Sequence, residues 1–307
     1  MFCNKCGSEI QGEATYCEKC GNHLKTLNHT KKMKKQSSIK KKLTILLGGV
    51  VAVCLGIFIY FSLFNGNDDA VTYEFYGDYA CVIDCEEDAE KVVIPSKVKR
   101  DGKNYSVKKI GKEAFAYCEN LKSVKISASV TEIGEEAFKS CKKLESVKIP
   151  DSVTEIEMCA FIYCESLKSI KIPKGVKTIE LGTFSGCESL ESVKIPNGVT
   201  KIGSSAFYEC KNLKSIEMPA SLTEIGDEAF MYCEKLTSIK IPKSVKKIAH
   251  EAFYACIGLT SAELLCGEVE TEGATFRECI NLKKITVPAG LNVDELEIPS
   301  DCVVHVK

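Results

Sequence analysis

Four cysteines stand in the first 20 residues as two copies of one spacing, Cys3-Asn4-Lys5-Cys6-Gly7 and Cys17-Glu18-Lys19-Cys20-Gly21. Each copy presents two thiols on a tight turn, and the glycine that follows permits the backbone bend that aims both sulfurs at one point. Two such turns supply four thiolates in a tetrahedron, the donor set of a structural Zn(II) site with no position open to substrate. A redox dithiol needs only one Cys-x-x-Cys, so the doubled motif favours metal over disulfide chemistry. Cys3, Cys6, Cys17 and Cys20 are therefore the expected Zn(II) ligands of a small domain over residues 1–28. In so short a segment, metal binding supplies most of the folding free energy.

Little else in the chain is equipped for catalysis. It has four histidines, His23, His29, His250 and His305, and no tryptophan. No Ser/His/Asp set, no His-Glu-x-x-His and no distinct carboxylate pair stands out, so an enzyme is not expected. Eighteen cysteines in 307 residues exceed the usage of an ordinary cytosolic domain. They form separate populations, however. Beyond the four in the knuckles, Cys54 lies in an apolar run and eight recur at a fixed spacing. Cys81, Cys85, Cys159, Cys266 and Cys302 belong to neither group.

The net charge of -1 conceals a division along the chain. Residues 1–42 carry ten Lys against three Glu, residues 43–64 carry no charge, and residues 65–307 are acidic. Lys31, Lys32, Lys34, Lys35, Lys40, Lys41 and Lys42 form a basic linker (29–42) in front of the run LTILLGGVVAVCLGIFIYFSLF. That run is long enough to cross a bilayer as one helix, which takes about 20 apolar residues. Lysines beside one end of a span hold that end in the cytoplasm, so the knuckles are expected inside and the rest of the chain outside. A cleaved signal peptide has a shorter apolar core and a small-x-small site, and neither fits here. Bulky Val53 likewise disfavours lipoprotein processing at Cys54. Near anionic headgroups each lysine contributes about 1 kcal/mol, which accounts for the basic run without nucleic acid.

The largest positioning element is a repeat. Phe115, Phe138, Phe161, Phe184, Phe207, Phe230, Phe253 and Phe276 stand 23 residues apart without a slip. Cys118, Cys141, Cys164, Cys187, Cys210, Cys233, Cys256 and Cys279 follow each Phe by three residues. A fixed period in this range marks a stacked solenoid, and Leu144-x-x-Val147-x-Ile149 has the strand signature of leucine-rich repeats. Val147 and Ile149 are expected inward, with Ser146 and Lys148 outward. Pro150 ends the strand where its missing N–H does least harm. Ala-Phe-x-x-Cys-x-x-Leu has apolar residues three or four apart, consistent with one or two helical turns. The expected fold is thus an α/β leucine-rich-repeat solenoid with parallel strands over 107–288. An irregular N-terminal cap is expected within 65–106 and a C-terminal cap over 289–307. Equivalent cysteines in adjacent coils have parallel Cβ vectors, unsuited to disulfides, and are expected as buried thiols. A local Cys81–Cys85 bridge is conceivable in the cap.

The pattern Ile-Gly-x-x-Ala-Phe-x-x-Cys-x-x-Leu-x-x-Val-x-Ile-Pro resembles the BspA-like leucine-rich repeats of bacterial surface proteins. Ile133-Gly134-Glu135-Glu136-Ala137-Phe138 and Ile225-Gly226-Asp227-Glu228-Ala229-Phe230 match it well. Thr183 in place of Ala, Glu157 and Glu180 in place of Gly, and Leu265 in place of Pro depart from it. The resemblance implies a surface-exposed binding protein or adhesin, some relatives of which engage host matrix proteins. The knuckle segment is similar to the small zinc ribbons at the N-terminus of many prokaryotic membrane proteins, although the proline frequent in such knuckles is missing.

A partner is expected on the outward strand positions, which form a serine row and a lysine row on one continuous sheet. Ser146, Lys148, Ser169, Lys171, Ser192, Lys194 and Lys240 are the candidate contacts for an extracellular protein or glycan. The second reading is a transmembrane sensor that couples such binding to the cytoplasmic ribbon. For the metal site, the purified full chain should carry one zinc per molecule by elemental analysis. Cys17→Ser or Cys3→Ser should abolish it, whereas Cys54→Ser should not.

Overall fold

The computed structural model describes residues 70–307, which fold as a solenoid of β-strands and turns. The knuckle cysteines, the basic linker and the apolar run 43–64 lie outside the described residues. Among the described residues no helix is long and apolar enough to cross a membrane.

The first coil is built from two hairpins. β1 (Val71–Tyr76) and β2 (Tyr79–Cys85) pair antiparallel around Gly77-Asp78. β3 (Lys91–Ile94) is followed by β4 (Lys97–Arg100), which pairs antiparallel with β5 (Lys103–Ile110) around Asp101-Gly102. β2 and β5 then align in parallel, and every later pairing is parallel between neighbouring coils. Cys81 and Cys85 both lie on β2, four residues apart along an extended strand at about 3.3 Å per residue. The local bridge between them is therefore ruled out by distance; both are free thiols.

Each regular coil contributes a three- or four-residue strand, such as Ser146–Lys148, and a two-residue strand, such as Glu155–Ile156. Alternation along the longer strand buries Val147 and leaves Ser146 and Lys148 exposed. The face strands do not form one continuous ladder, as the sequence suggested, but three. These are Lys91–Ile94 to Ser146–Lys148, Ser169–Lys171 to Ser215–Glu217, and Ser238–Ile241 to Val303–Val306. At the two breaks the N–H donations that lead into the next strand lengthen. Lys168 N–H to Glu145 C=O and Thr237 N–H to Lys214 C=O are both 3.4 Å, against 2.9 Å for Lys214 N–H to Glu191 C=O. Where Leu265 replaces proline it adds a bond, its N–H donating to Ile241 C=O at 2.9 Å.

The expected helical turns are absent. The described residues contain one 3-10 helix, Val293–Leu296, and no α-helix. The segment around each Phe is instead a ribbon of turns, and its hydrogen bonds explain why. Lys139 and Cys141 donate back three residues to Glu136 and Phe138, while Glu136, Phe138 and Ser140 donate forward to Met158, Ala160 and Ile162 in the next coil. Forward donors two residues apart require left-handed backbone on either side of Phe138, at Glu136 (φ 53°) and Ser140 (φ 55°). The same pair recurs beside every repeat Phe, for instance Cys159 and Tyr163, or Glu228 and Tyr232. A non-glycine residue there costs on the order of 1–2 kcal/mol, and the bond between coils offsets it. Gly186 is a position where glycine is required, since a Cβ would lie 2.4 Å from the Tyr163 ring.

Beneath the ribbon the eight phenylalanines form a buried stack. Successive centroids are 4.8–5.7 Å apart and the rings are nearly parallel, as for Phe138–Phe161 at 5.0 Å and 3°. The cysteines run alongside and are also buried. Their thiols bond to the preceding coil: Cys141 Sγ–H to Phe115 C=O at 3.0 Å, Cys164 to Phe138 at 3.2 Å, and on to Cys279 and Phe253 at 3.1 Å. Burial pushes the Cys187 thiol up to about 12, and Cys164 and Cys210 well above the ordinary thiol range. Unfolded thiols ionise near pH 8.5, so the protonated ladder stabilises the fold fully below about pH 8.5 and progressively less as pH rises towards 12. Urea unfolding midpoints should fall as pH rises from about 8 to about 10, through the unfolded thiol pKa, and Cys187→Ala should flatten part of that slope.

One ion pair is buried in the ribbon. Glu136 and Lys139 are 2.9 Å apart with side chains each 6% exposed, and Lys139 Nζ lies 5.8 Å from the centre of the Tyr117 ring. Lys139→Ala removes the cation buried against Glu136 and should cost about 3–5 kcal/mol in chemical denaturation. The double replacement Glu136→Ala/Lys139→Met should restore most of that loss.

Candidate binding face

The strand side of the solenoid carries two outward rows set by parallel pairing in exact coil register. Ser123 is beside Ser146, and Ser169, Ser192 and Ser215 are beside one another in turn, as are Ser238 and Ser261. Lys125 faces Lys148, Lys171 faces Lys194, Lys194 faces Glu217, and Lys240 faces Glu263. The predicted contacts Ser146, Lys148, Ser169, Lys171, Ser192, Lys194 and Lys240 are all exposed on this side. They are spread over the three ladders: Ser146 and Lys148 on the first, Ser169 to Lys194 on the second, Lys240 on the third. Strand stacking alone brings them together, since each is held by the buried residue between the rows, such as Val147, Ile170 or Val193.

The rows differ in charge along the stack. Lys194 Nζ is 3.0 Å from Glu217, and Lys240 is 3.0 Å from Glu263, whose other oxygen takes Lys307 at 2.5 Å. Lys307, then Lys240, holds the Glu263 carboxyl below the usual carboxylate range. Lys171 reaches Asp151 at 2.8 Å, which lowers that carboxyl in turn. Lys125 and Lys148 make no ion pair among the described residues.

Flanking rows neutralise themselves. Glu145–Lys168 (3.0 Å) and Glu191–Lys214 (2.8 Å) pair between coils beside the face, and Lys142–Glu165 (3.0 Å) and Glu188–Lys211 (2.7 Å) pair further round. Sequence reasoning identified the lysine row but missed these pairs, although acids and bases 23 residues apart were there to read. The face also missed Asp151, which lies in the loop after a strand and outside the repeat rows. Elsewhere, a cleft of about 730 Å³ opens between Glu268–Thr271 and Ala289–Asn292. Its acidic Glu295 is already engaged by Thr271 and Asn292, each at 3.0 Å. Among the described residues no group of His, Cys, Asp and Glu side chains is arranged to hold a metal.

Comparison with known proteins agrees with the leucine-rich repeat. The family model for the BspA type leucine rich repeat region matches residues 103–213 and 177–302, and the zinc-ribbon domain model matches residues 2–24. The chain belongs to the BspA-type leucine-rich-repeat family. A crystal structure of a leucine-rich-repeat protein from T. pallidum is 30% identical, with a TM-score of 0.53 over 69% of this chain and 88% of that one. A leucine-rich-repeat protein from Bacteroides ovatus is 29% identical, covering 81% of this chain and 77% of that one, with a TM-score of 0.45. A leucine rich cell surface protein from Faecalibacterium prausnitzii is 21% identical, covering 80% and 95%, with a TM-score of 0.36. No curated protein sequence is significantly similar to the chain.

Proposed function

We propose that the chain is a membrane-anchored cell-surface protein that binds protein or glycan partners along the strand face of its repeats. The observation that carries this reading is the pair of exposed rows. They repeat one small hydroxyl and one charged group per coil on a rigid backbone, the kind of extended surface solenoids use for recognition. Every reactive-looking group of the repeat, the cysteine ladder above all, is buried and bonded inward. The core thus builds the scaffold and leaves recognition to the outward rows, without catalysis.

The anchor is the apolar run 43–64, held by the lysines before it with the N-terminus in the cytoplasm and the repeats outside. Cys3, Cys6, Cys17 and Cys20 would hold Zn(II). Four thiolates fill its coordination, so the metal supplies folding and no chemistry on a substrate. Family membership supports the surface role, and the basic and apolar runs support the topology.

Intact cells expressing the chain with an N-terminal tag test both parts. Protease added outside should remove the repeats and spare the tag. Matrix proteins and glycans presented to the same cells should bind, and Ser169→Trp/Ser192→Trp, which blocks the face without touching the core, should abolish that binding. A protected repeat domain would overturn the topology, and undiminished binding by the tryptophan variant would overturn the face.

A further inference from the structure

The lysine row is neutralised at one end of the stack and bare at the other. In the second and third ladders Lys194 and Lys240 have carboxylates across the strand at 3.0 Å. In the first, Lys125 lies directly opposite Lys148, and neither has an ion-pair partner among the described residues. Like charges directly opposite destabilise a strand pair, and here no acid was placed to relieve them. Lys171, in the next coil, is tied only to Asp151, a loop carboxylate 58% exposed. An exposed pair of this kind exchanges readily for another anion.

Geometry then selects the kind of anion. Lys125, Lys148 and Lys171 succeed one another at one per coil, with Ser123, Ser146 and Ser169 two residues before them. Adjacent coils lie about 4.8 Å apart. A chain of pyranose rings advances by a similar length per sugar, so a glycan with one carboxylate on each ring offers about one anion per coil, and the long flexible lysine stems reach carboxylates turned to different sides of its axis. Its ring hydroxyls then fall over the serine row. An extended acidic peptide offers carboxylates to the lysines but no row of hydroxyls to the serines beside them.

We propose that Lys125, Lys148 and Lys171, with Ser123, Ser146 and Ser169, bind a polyanionic glycan bearing one carboxylate on each sugar, at the N-terminal end of the face. This rests on the strand face being the binding surface and names its ligand chemistry. The lysines pair with successive carboxylates as point charges, and the serines exchange hydrogen bonds with sugar hydroxyls. The neutralised coils beyond Lys194 set the limit of the site.

The test uses the purified full chain with polygalacturonate as probe, polyglutamate at equal charge concentration, and uncharged dextran as control. Polygalacturonate should bind at low salt and weaken as salt rises. Lys125→Gln/Lys148→Gln/Lys171→Gln should lose about tenfold or more in affinity (on the order of 1.4 kcal/mol), while Lys177→Gln/Lys246→Gln, exposed and off the strand face, should stay within about twofold. Equal loss in both variants would overturn the location. Polyglutamate binding as tightly would give the surface to acidic polypeptides instead, and no polygalacturonate binding at low salt would end the proposal. If Ser169→Trp/Ser192→Trp abolishes cell-surface binding while the triple lysine variant does not, the charge assignment fails and the face survives. If neither has an effect, both fail.

Discussion

The fold depends on the hydrogen bonds that three N–H groups of each turn ribbon donate to the coil after it, as Glu136, Phe138 and Ser140 do to Met158, Ala160 and Ile162. Because every donor sits two residues from the next, the chain must alternate handedness, and it does so with Glu, Ser, Tyr and Cys as well as with Gly. That alternation fixes the length of the coil and puts each Phe ring over the last. Each Phe carbonyl accepts the N–H of the Cys three residues on in its own turn and the thiol of the Cys in the next coil, as Phe138 does from Cys141 and Cys164. Cysteine suits the position because it is small, apolar enough to bury and still carries a weak donor.

Much of this was legible in the sequence, for identifiable reasons. A strict period of Phe and Cys leaves only stacked coils as an explanation, and alternation around Val147 gives the strand and its exposed residues. The ribbon was not legible as such. Apolar residues three or four apart satisfy a helical turn and a chain of overlapping turns equally well, and left-handed residues usually betray themselves as glycine. Here only Gly182 and Gly186 do so. The division of the strand face into three ladders depends on shifts of a few tenths of an ångström in single hydrogen bonds, to which residue type is blind.

The candidate face was legible in position but not in charge state. Ser146, Lys148 and their equivalents follow from strand alternation alone. Whether a lysine is free or spent depends on its neighbour one coil away, and that is visible in sequence only once the period is used to read across coils. Reading that way separates Lys194 and Lys240, which meet Glu217 and Glu263, from Lys125 and Lys148, which meet each other. The buried Glu136–Lys139 pair escaped for the opposite reason: its partners are in one coil, and the surface rule for charged residues hides them.

The alternating row beside the face has a bearing on how such an array can change length. Lys122, Glu145, Lys168, Glu191 and Lys214 follow one another coil by coil, with Glu145 bound to Lys168 and Glu191 to Lys214. Recombination that excised the coil carrying Lys168 would set Glu145 against Glu191, whereas excision of that coil with its successor would set Glu145 against Lys214. The phenylalanine stack is indifferent to either event, since every coil supplies its Phe at the same register. Along this part of the chain the surface charge therefore repeats every two coils over a core that repeats every one.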